Sequence, residues 1–272
     1  MKKEELEKIC KRACEVVQLA GAFILSQAGK VTRDEIETKA HNSLVSYVDK
    51  ESEKILVKGL SELLPEATFL TEEETVEQKE SPLRWIIDPL DGTTNFLHQL
   101  PGYNISVALQ VGNQLSIGIV YEVERKELFY AWHGGGAYLN GQAIHVRENI
   151  TLADALVSTG FPYYDFGKTD NYLNTLRELI QKTRGIRRVG AAAIDLAYVA
   201  AGRYDTFFEY SLQPYDVAAG IVLIQEAGGR VNDFRGTKNY LFGKEIVASS
   251  AAVHDEMLEI IMRYFFEEVL DG

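Results

Sequence analysis

The spacing of apolar residues changes character near Thr68, and that change restricts the chain to a mixed fold. Upstream, "MKKEELEKICKRACEVVQLAGAFIL" sets Ile9, Ala13, Val16, Val17, Ala20, Phe23 and Ile24 on one face of a helix over 4–28 that stops at Gly29. After a polar segment, "SLVSYVDKESEKILVKGLSELLP" predicts a short strand leading into a second amphipathic helix ended by Pro65. From Thr68 onward "ATFLTEE", "RWIID" and "YNISVALQVGNQLSIGIVYEVERKELFYAWHGGGAYLNGQAI" alternate or run apolar in short segments, the pattern of an antiparallel meander. The second half alternates instead: strand "ALVSTG", helix 169–182, strand "GIRRVG", helix 192–202, strand "YDTFFEY", helix 215–227, strands "GRVNDF" and "EIVASS", and a helix over 254–268. No repeat or low-complexity tract interrupts this order. The expected fold class is α/β (α+β), one domain over 1–272 with two lobes at about 1–150 and about 151–272.

The 272 residues are 46% hydrophobic and carry a formal net charge of −12. A chain so acidic lacks the clustered cationic footprint of a nucleic-acid or anionic-membrane binder. Lys182, Arg184, Arg187 and Arg188 form its one basic cluster, which suits a solvated loop or interface face. The N-terminus mixes acids with bases and reads as an amphipathic helix, not a signal peptide. The longest apolar run, Val217 to Ile224, is far short of a membrane span, and a cytoplasmic location is expected. Cys10 and Cys14 have no neighbouring Cys or His with which to make a zinc site, so both are expected to be reduced core thiols.

In "RWIIDPLDGTTNFLHQLP", Asp88 ends an apolar run, Pro89 is expected to stop the strand, and Gly92 lets the backbone turn into a helical start. These residues suit a plain turn. They equally suit a site in which both carboxylates and the Leu90 carbonyl face one hard divalent cation such as Mg²⁺. "FLTEEE" ends another apolar strand with Glu72, Glu73 and Glu74, where a neighbouring strand could deliver a carboxylate beside Asp88; for Glu73 and Glu74 a solvated turn is the simpler expectation. "QPYDVAAGIVLIQEAGG" places Asp216 in the first turn of a nearly all-apolar helix, where it can cap the helix and ligate a metal at once. That helix N-terminus also favours a bound phosphate.

"WIIDPLDGTTNF", the upstream "FLTEE" and the downstream "YDVAAG…EAGG" resemble, in order and spacing, the signature segments of the inositol monophosphatase family of Mg²⁺-dependent, Li⁺-sensitive phosphomonoesterases. "GGGAYLNGQ" and "RRVGAAAIDLAYVAAGRYDTFFE" are also similar to family segments, so the resemblance spans nearly the whole chain. It implies a layered αβαβα sandwich of the inositol monophosphatase and fructose-1,6-bisphosphatase type, and a homodimer. It implies two or three Mg²⁺ per site: Glu72, Asp88 and the Leu90 carbonyl hold one, and Asp88, Asp91 and Asp216 hold a second. Thr93 would orient the attacking water, making Glu72, Asp91 and Thr93 the catalytic set. Gly92, Thr93 and Thr94 would offer donors to phosphate, Gly190 and Ala192 would line the ring pocket, and Glu209 would accept hydrogen bonds from substrate hydroxyls.

The resemblance also implies the substrate class. Divalent cations neutralise a phosphate monoester and activate water, so no Ser or Cys nucleophile is needed. His98 and His133 stand in no recognisable dyad and are expected on surface loops. Glu209 suits a polyol and repels a second phosphate, with no cation near it in sequence. A small-molecule phosphate monoester such as inositol 1-phosphate is therefore expected, with fructose 1,6-bisphosphate, a 3′-phosphonucleotide or histidinol phosphate as alternatives. A non-catalytic partner-binding scaffold is the rival from another class. The loop "FPYYDFGK", with Tyr163 and Tyr164, is expected beside the pocket. Tyr215 stands where many members have Trp, Ser43 and Ser46 where Asp and Thr are common, and Lys39 aligns only to within a residue; these differences bear on Asp49 and a third metal, not on the core pair.

Overall fold

A computed structural model of the chain describes residues 1–40, 43–162 and 165–266. Among them, in chain order, are α1 (Lys3–Gln27), β1 (Ile36–Ala40), β2 (Ser43–Ser46), α2 (Tyr47–Leu63), β3 (Thr68–Thr71), β4 (Leu83–Asp91) and α3 (Thr93–Leu97). The meander β5 (Asn104–Val111), β6 (Gln114–Glu122), β7 (Glu127–Trp132), β8 (Gly136–Leu139) and β9 (Gln142–Ile144) follows. Then come β10 (Leu156–Thr159), α4 (Thr169–Lys182), β11 (Gly185–Arg187), α5 (Ala192–Ala200), β12 (Thr206–Tyr210), α6 (Pro214–Glu226), β13 (Arg230–Asn232), β14 (Glu245–Ser249) and α7 (His254–Phe266).

The described strands make a seven-stranded sheet in the order β3-β4-β5-β6-β7-β8-β9, a five-stranded sheet in the order β11-β10-β12-β14-β13, and the small pair β1-β2. Helices α1 and α2 cover one face of the larger sheet, α5 and α6 lie between the two sheets, and α4 and α7 cover the far face of the smaller one. The result is the five-layered αβαβα arrangement that the resemblance implies. One apolar cluster lies between the outer helices α1 and α2 and the larger sheet, a second surrounds α5 and α6 between the two sheets, and a third lies between the smaller sheet and α4 and α7.

The helices form where the apolar spacing demands. In α1 the buried residues Leu6, Ile9, Cys10, Ala13, Cys14, Val17, Ala20 and Ile24 recur at helical intervals and make one stripe against the sheet. In α2 the capping box of Ser46 and Asp49 starts the helix. Its buried stripe is polar at first (Asp49, Ser52, Glu53) and apolar later (Leu56, Leu60), so one face serves two neighbours. Helix α6 is buried along Val217–Ile224 because it touches both sheets. It approaches β6 so closely at Gly118 that a Cβ there would overlap the Ala219 carbonyl and come within 2.9 Å of Val222 Cβ.

Three expectations need correction. The meander excludes its first member: β3 pairs with β4 in parallel, Thr71 opposite Ile87, because the chain between them returns over the sheet edge instead of turning tightly. The polar segment before α2 contains a strand, β1, paired with β2. Finally, Pro89 does not stop its strand. β4 runs on to Asp91 through a β-bulge, with Asp88 opposite Ser106 and Asp91 opposite Asn104. Three steps along β4 thus match two along β5. A bulge of this kind accommodates a residue that has no amide hydrogen to donate.

Candidate active site

The bulge decides where the two aspartates point. In a regular strand, residues three apart face opposite sides of the sheet. The extra residue between Asp88 and Asp91 makes them equivalent to neighbours two apart, so both face the layer of α5 and α6, as do Asn104 and Ser106 beside them. Leu90 packs on the other side, among the residues under α1 and α2. At Gly92 the backbone takes φ of 89°, and a Cβ there would lie 2.8 Å from the Gly102 carbonyl oxygen, which leaves room only for glycine.

The remaining acids arrive from two other elements. Glu72 follows β3, and its amide donates to the Ile87 carbonyl at 3.2 Å, which aligns it with the end of β4. Asp216 sits in the first turn of α6, whose N-cap amide, Gln213 N, donates to its Oδ2 at 2.7 Å. Asp91 Oδ2 accepts from Asn104 Nδ2 and from Ala193 N at the start of α5, both at 2.9 Å. Asp88 Oδ1 accepts from Leu90 N at 3.0 Å. In Asp91 and Asp216 one oxygen is thereby pinned to the protein.

That cavity, of about 110 Å³, is lined by Glu72, Asp88, Leu90, Asp91, Gly92, Thr93, Thr94, Gly190, Ala192, Glu209 and Asp216. The residues that the resemblance assigns to metal, catalysis and substrate therefore all line one cavity. Asp88 and Glu209 are nearly inaccessible. Asp91 and Asp216 keep some exposed surface toward the cavity and are enclosed on every other side. Burial, then the charges of Glu72, Asp91 and Asp216, hold the Asp88 carboxyl well above the usual carboxylate range, and a hydrogen bond with Glu72 adds to the effect. Burial also lifts Asp91 to about 6, against the opposing pull of its Asn104 and Ala193 donors. Asp216 is raised well above its ordinary value by burial and then by Asp91.

Among the described residues no three acidic, cysteine or histidine side chains close into a ready-made metal cage. The carboxylates nevertheless crowd one another electrostatically around a cavity. An oxygen-only set of this kind fits a hard divalent cation that keeps positions for water and substrate oxygens, since such a charge would relieve the repulsion. Glu72, Asp88, Asp91, Asp216 and the Leu90 carbonyl are the groups placed to hold it. The Leu90 carbonyl already accepts the Thr93 hydroxyl at 3.0 Å, and Thr93 Oγ1 also donates to Asp49 Oδ1 at 2.9 Å. Asp49 Oδ2 in turn accepts Ser46 N and Oγ, both at 2.8 Å, so the serine completes this network by itself. The side chains of Lys39 and Ser43, and all of Tyr163 and Tyr164, lie outside the described residues.

Opposite the acids, the cavity wall differs from expectation. Arg188 lines it with Glu209 and lowers the Glu209 carboxyl against burial and the nearby Asp195 and Asp216 charges, although the net shift stays well upward. Its guanidinium also lies 5.3 Å from the Phe161 ring centre. The basic cluster is therefore dispersed: Lys182 pairs with Glu178, Arg184 pairs with Asp154, and Arg188 turns inward. Asp195, also in the wall, was not anticipated. It is 1% exposed, and burial followed by the Asp91 charge holds it well above the carboxylate range. The Ser158 hydroxyl favours its charged form, yet among the described residues no partner completes a hydrogen bond with Oδ1. An acid in the first turn of a helix was the only signal in the sequence, and it reads as an ordinary cap. Neither His98 nor His133 lines the cavity.

A sequence profile described as the inositol monophosphatase family matches residues 5–265. A protein of Neisseria meningitidis serogroup B named "Putative Nus factor SuhB" is 44% identical over 250 residues, covering 92% of this chain and 96% of that one. The "Inositol-1-monophosphatase" of Mesorhizobium japonicum is 39% identical over 245 residues, covering 90% and 92%. The crystal structure of extragenic suppressor protein suhB from Bartonella henselae superposes with a TM-score of 0.86 at 37% identity, covering 91% of this chain and 95% of that one. With the match running almost end to end, the chain belongs to the inositol monophosphatase family.

Proposed function

We propose that the chain is a Mg²⁺-dependent phosphomonoesterase acting on inositol 1-phosphate or a similar monophosphorylated polyol. One observation carries the proposal: four carboxylates from three separate elements converge on a cavity whose opposite wall holds Glu209. Glu72, Asp88, Asp91, Asp216 and the Leu90 carbonyl would hold the metal, which when bound supplies positive charge for the phosphoryl oxygens and acidifies water.

The chain's own groups do the rest. Thr93 shares its single hydroxyl hydrogen between Asp49 and Leu90, so toward an attacking water its oxygen would serve as an acceptor and orient that water. The α5 and α6 N-termini add partial positive charge where a phosphate dianion enters. Gly92, Thr93 and Thr94 present donors to it, and Gly190 and Ala192 shape the alcohol side. Glu209 accepts hydrogen bonds from adjacent hydroxyls, and Arg188 beside it opposes part of the upward shift that burial imposes on that carboxyl. Arg188 is also the cation near Glu209 that sequence did not reveal, and it gives an anionic group on the alcohol side a partner.

The test is phosphate release from inositol 1-phosphate, fructose 1,6-bisphosphate, 3′-phosphoadenosine 5′-phosphate and histidinol phosphate, each with Mg²⁺ and with EDTA. Mg²⁺-dependent turnover led by inositol 1-phosphate is expected; turnover led by another compound would replace the substrate, and none on any would overturn the activity. A second reading, a partner-binding role, is favoured by relatives that carry the name Nus factor. Asp88→Asn separates the two, since a scaffold role survives the loss of a catalytic carboxylate. A cytoplasmic homodimer completes the proposal; among the described residues no helix is long and apolar enough to cross a membrane.

A further inference from the structure

The turn that carries Glu72 closes on a carboxylate that takes no part in lining the cavity. Glu53, in α2, is fully buried. Its Oε1 accepts from Thr71 Oγ1 at 2.9 Å, Thr75 N at 2.7 Å and Thr75 Oγ1 at 2.6 Å, and its Oε2 accepts from Glu73 N at 2.8 Å. Thr71 and Glu73 flank Glu72 in the chain, and the Glu72 amide is itself fixed to Ile87. The main chain around Glu72 is therefore held from two sides. Four donors converge on Glu53, and only a carboxylate can satisfy them with both oxygens, because the amide of a glutamine would point a donor at a donor.

The same helix face reaches the other parts of the site. Asp49, Ser52 and Glu53 are spaced three and four apart along α2 and so share one side of it. Asp49 accepts the Thr93 hydroxyl, and Ser52 Oγ donates to the Pro89 carbonyl inside the bulge at 3.0 Å. We propose that Glu53 is a positioning residue for Glu72: by clamping residues 71–75 it fixes the direction in which the Glu72 carboxylate enters the cavity, and with Asp49 and Ser52 it makes α2 the common mount for three parts of the site. This deepens the assignment of the cavity to a divalent cation and rests on it.

The test compares the wild-type chain with Glu53→Gln and Thr75→Val, each stripped with EDTA. Two readouts are taken: amide hydrogen exchange at residues 71–75, and Mn²⁺ binding by titration calorimetry. Glu53→Gln should speed exchange at Glu73 and Thr75 and weaken Mn²⁺ binding about tenfold or more, the usual effect of losing a group that orients a metal ligand. Thr75→Val, which keeps the carboxylate and removes one donor, should weaken it about threefold and carries the test if the first variant does not fold. Faster exchange with unchanged Mn²⁺ affinity overturns the positioning role, and unchanged exchange overturns the clamp. A wild-type chain that binds no Mn²⁺ overturns the metal assignment itself, and the positioning role with it.

Discussion

Asp88 stands among Glu72, Asp91 and Asp216 in a buried setting, so its replacement by asparagine should have two opposite effects. Asp88→Asn is expected to lower kcat by about 10²–10³-fold or more, because a carboxylate that would hold the cation facing the phosphate is gone. It should also stabilise the metal-free protein by about 1–2 kcal/mol, because one of four repelling charges is removed while Asn Oδ1 still accepts from Leu90 N. Near-wild-type activity in this variant would sink the metal assignment; a lower melting temperature would sink the account of crowding. Glu209→Gln should raise KM for inositol 1-phosphate more than for a small aryl phosphate, and equal effects on both would remove Glu209 from the alcohol side. The acids that were legible in sequence are those whose neighbours are unusual, as in Asp-Pro-Leu-Asp-Gly. Glu53 and Asp195 look like any helical acid, and only the packing of α2 and α5 shows where they face. Arg188 was misread for the same reason: sequence placed it among cations, and the fold separates them.

At the scale of elements, the fit of α6 against β6 is the most sensitive point. Gly118→Ala should cost about 1–3 kcal/mol, since its Cβ would overlap the Ala219 carbonyl and α6 would have to lift. Activity should fall as well, because the same helix delivers Asp216; a variant with wild-type melting temperature and turnover would show that α6 has slack there. Apolar spacing revealed nearly every helix and strand to within a residue or two, since burial on one face leaves a period that survives in the sequence. It did not reveal the parallel pairing of β3 with β4, which depends on the path of the intervening chain, or the bulge at Pro89, which depends on register against β5. Yet the bulge is what brings Asp88 and Asp91 to one face, so the most consequential local geometry was the least visible.

For the whole molecule, two sets of groups pull stability in opposite directions with pH. Asp91, at about 6 when folded against an ordinary 3.8, binds a proton in the folded state that the unfolded chain has already released, so stability falls as pH rises through that window. Asp88 and Asp216 act in the same sense. His254 is buried between Ser249 and Asn232. Burial lowers it to about 4 from 6.5, so there the unfolded chain holds the extra proton and stability rises with pH between those values. Between pH 4 and 6 the two effects therefore oppose each other in the metal-free protein, and millimolar Mg²⁺, by holding the carboxylates ionised, should remove the fall and leave the rise due to His254, so the gain in melting temperature from Mg²⁺ should grow from pH 4 to pH 6. A Mg²⁺ gain that stays constant across that window would contradict the carboxylate account.

The central layer of helices also sets an order of events during synthesis. The sheet formed by residues 68–144 leaves the ribosome with one face, including Ile86, Ala108, Val120, Phe129 and Ala131, whose covering helices are encoded later, at 192–200 and 214–226. At ordinary elongation rates that face waits roughly 4–16 s for its cover. A nascent chain halted after β9 presents a greasy sheet to every chaperone and to every other copy, so translation speed between β9 and α6 is a determinant of how much of this protein reaches its folded form.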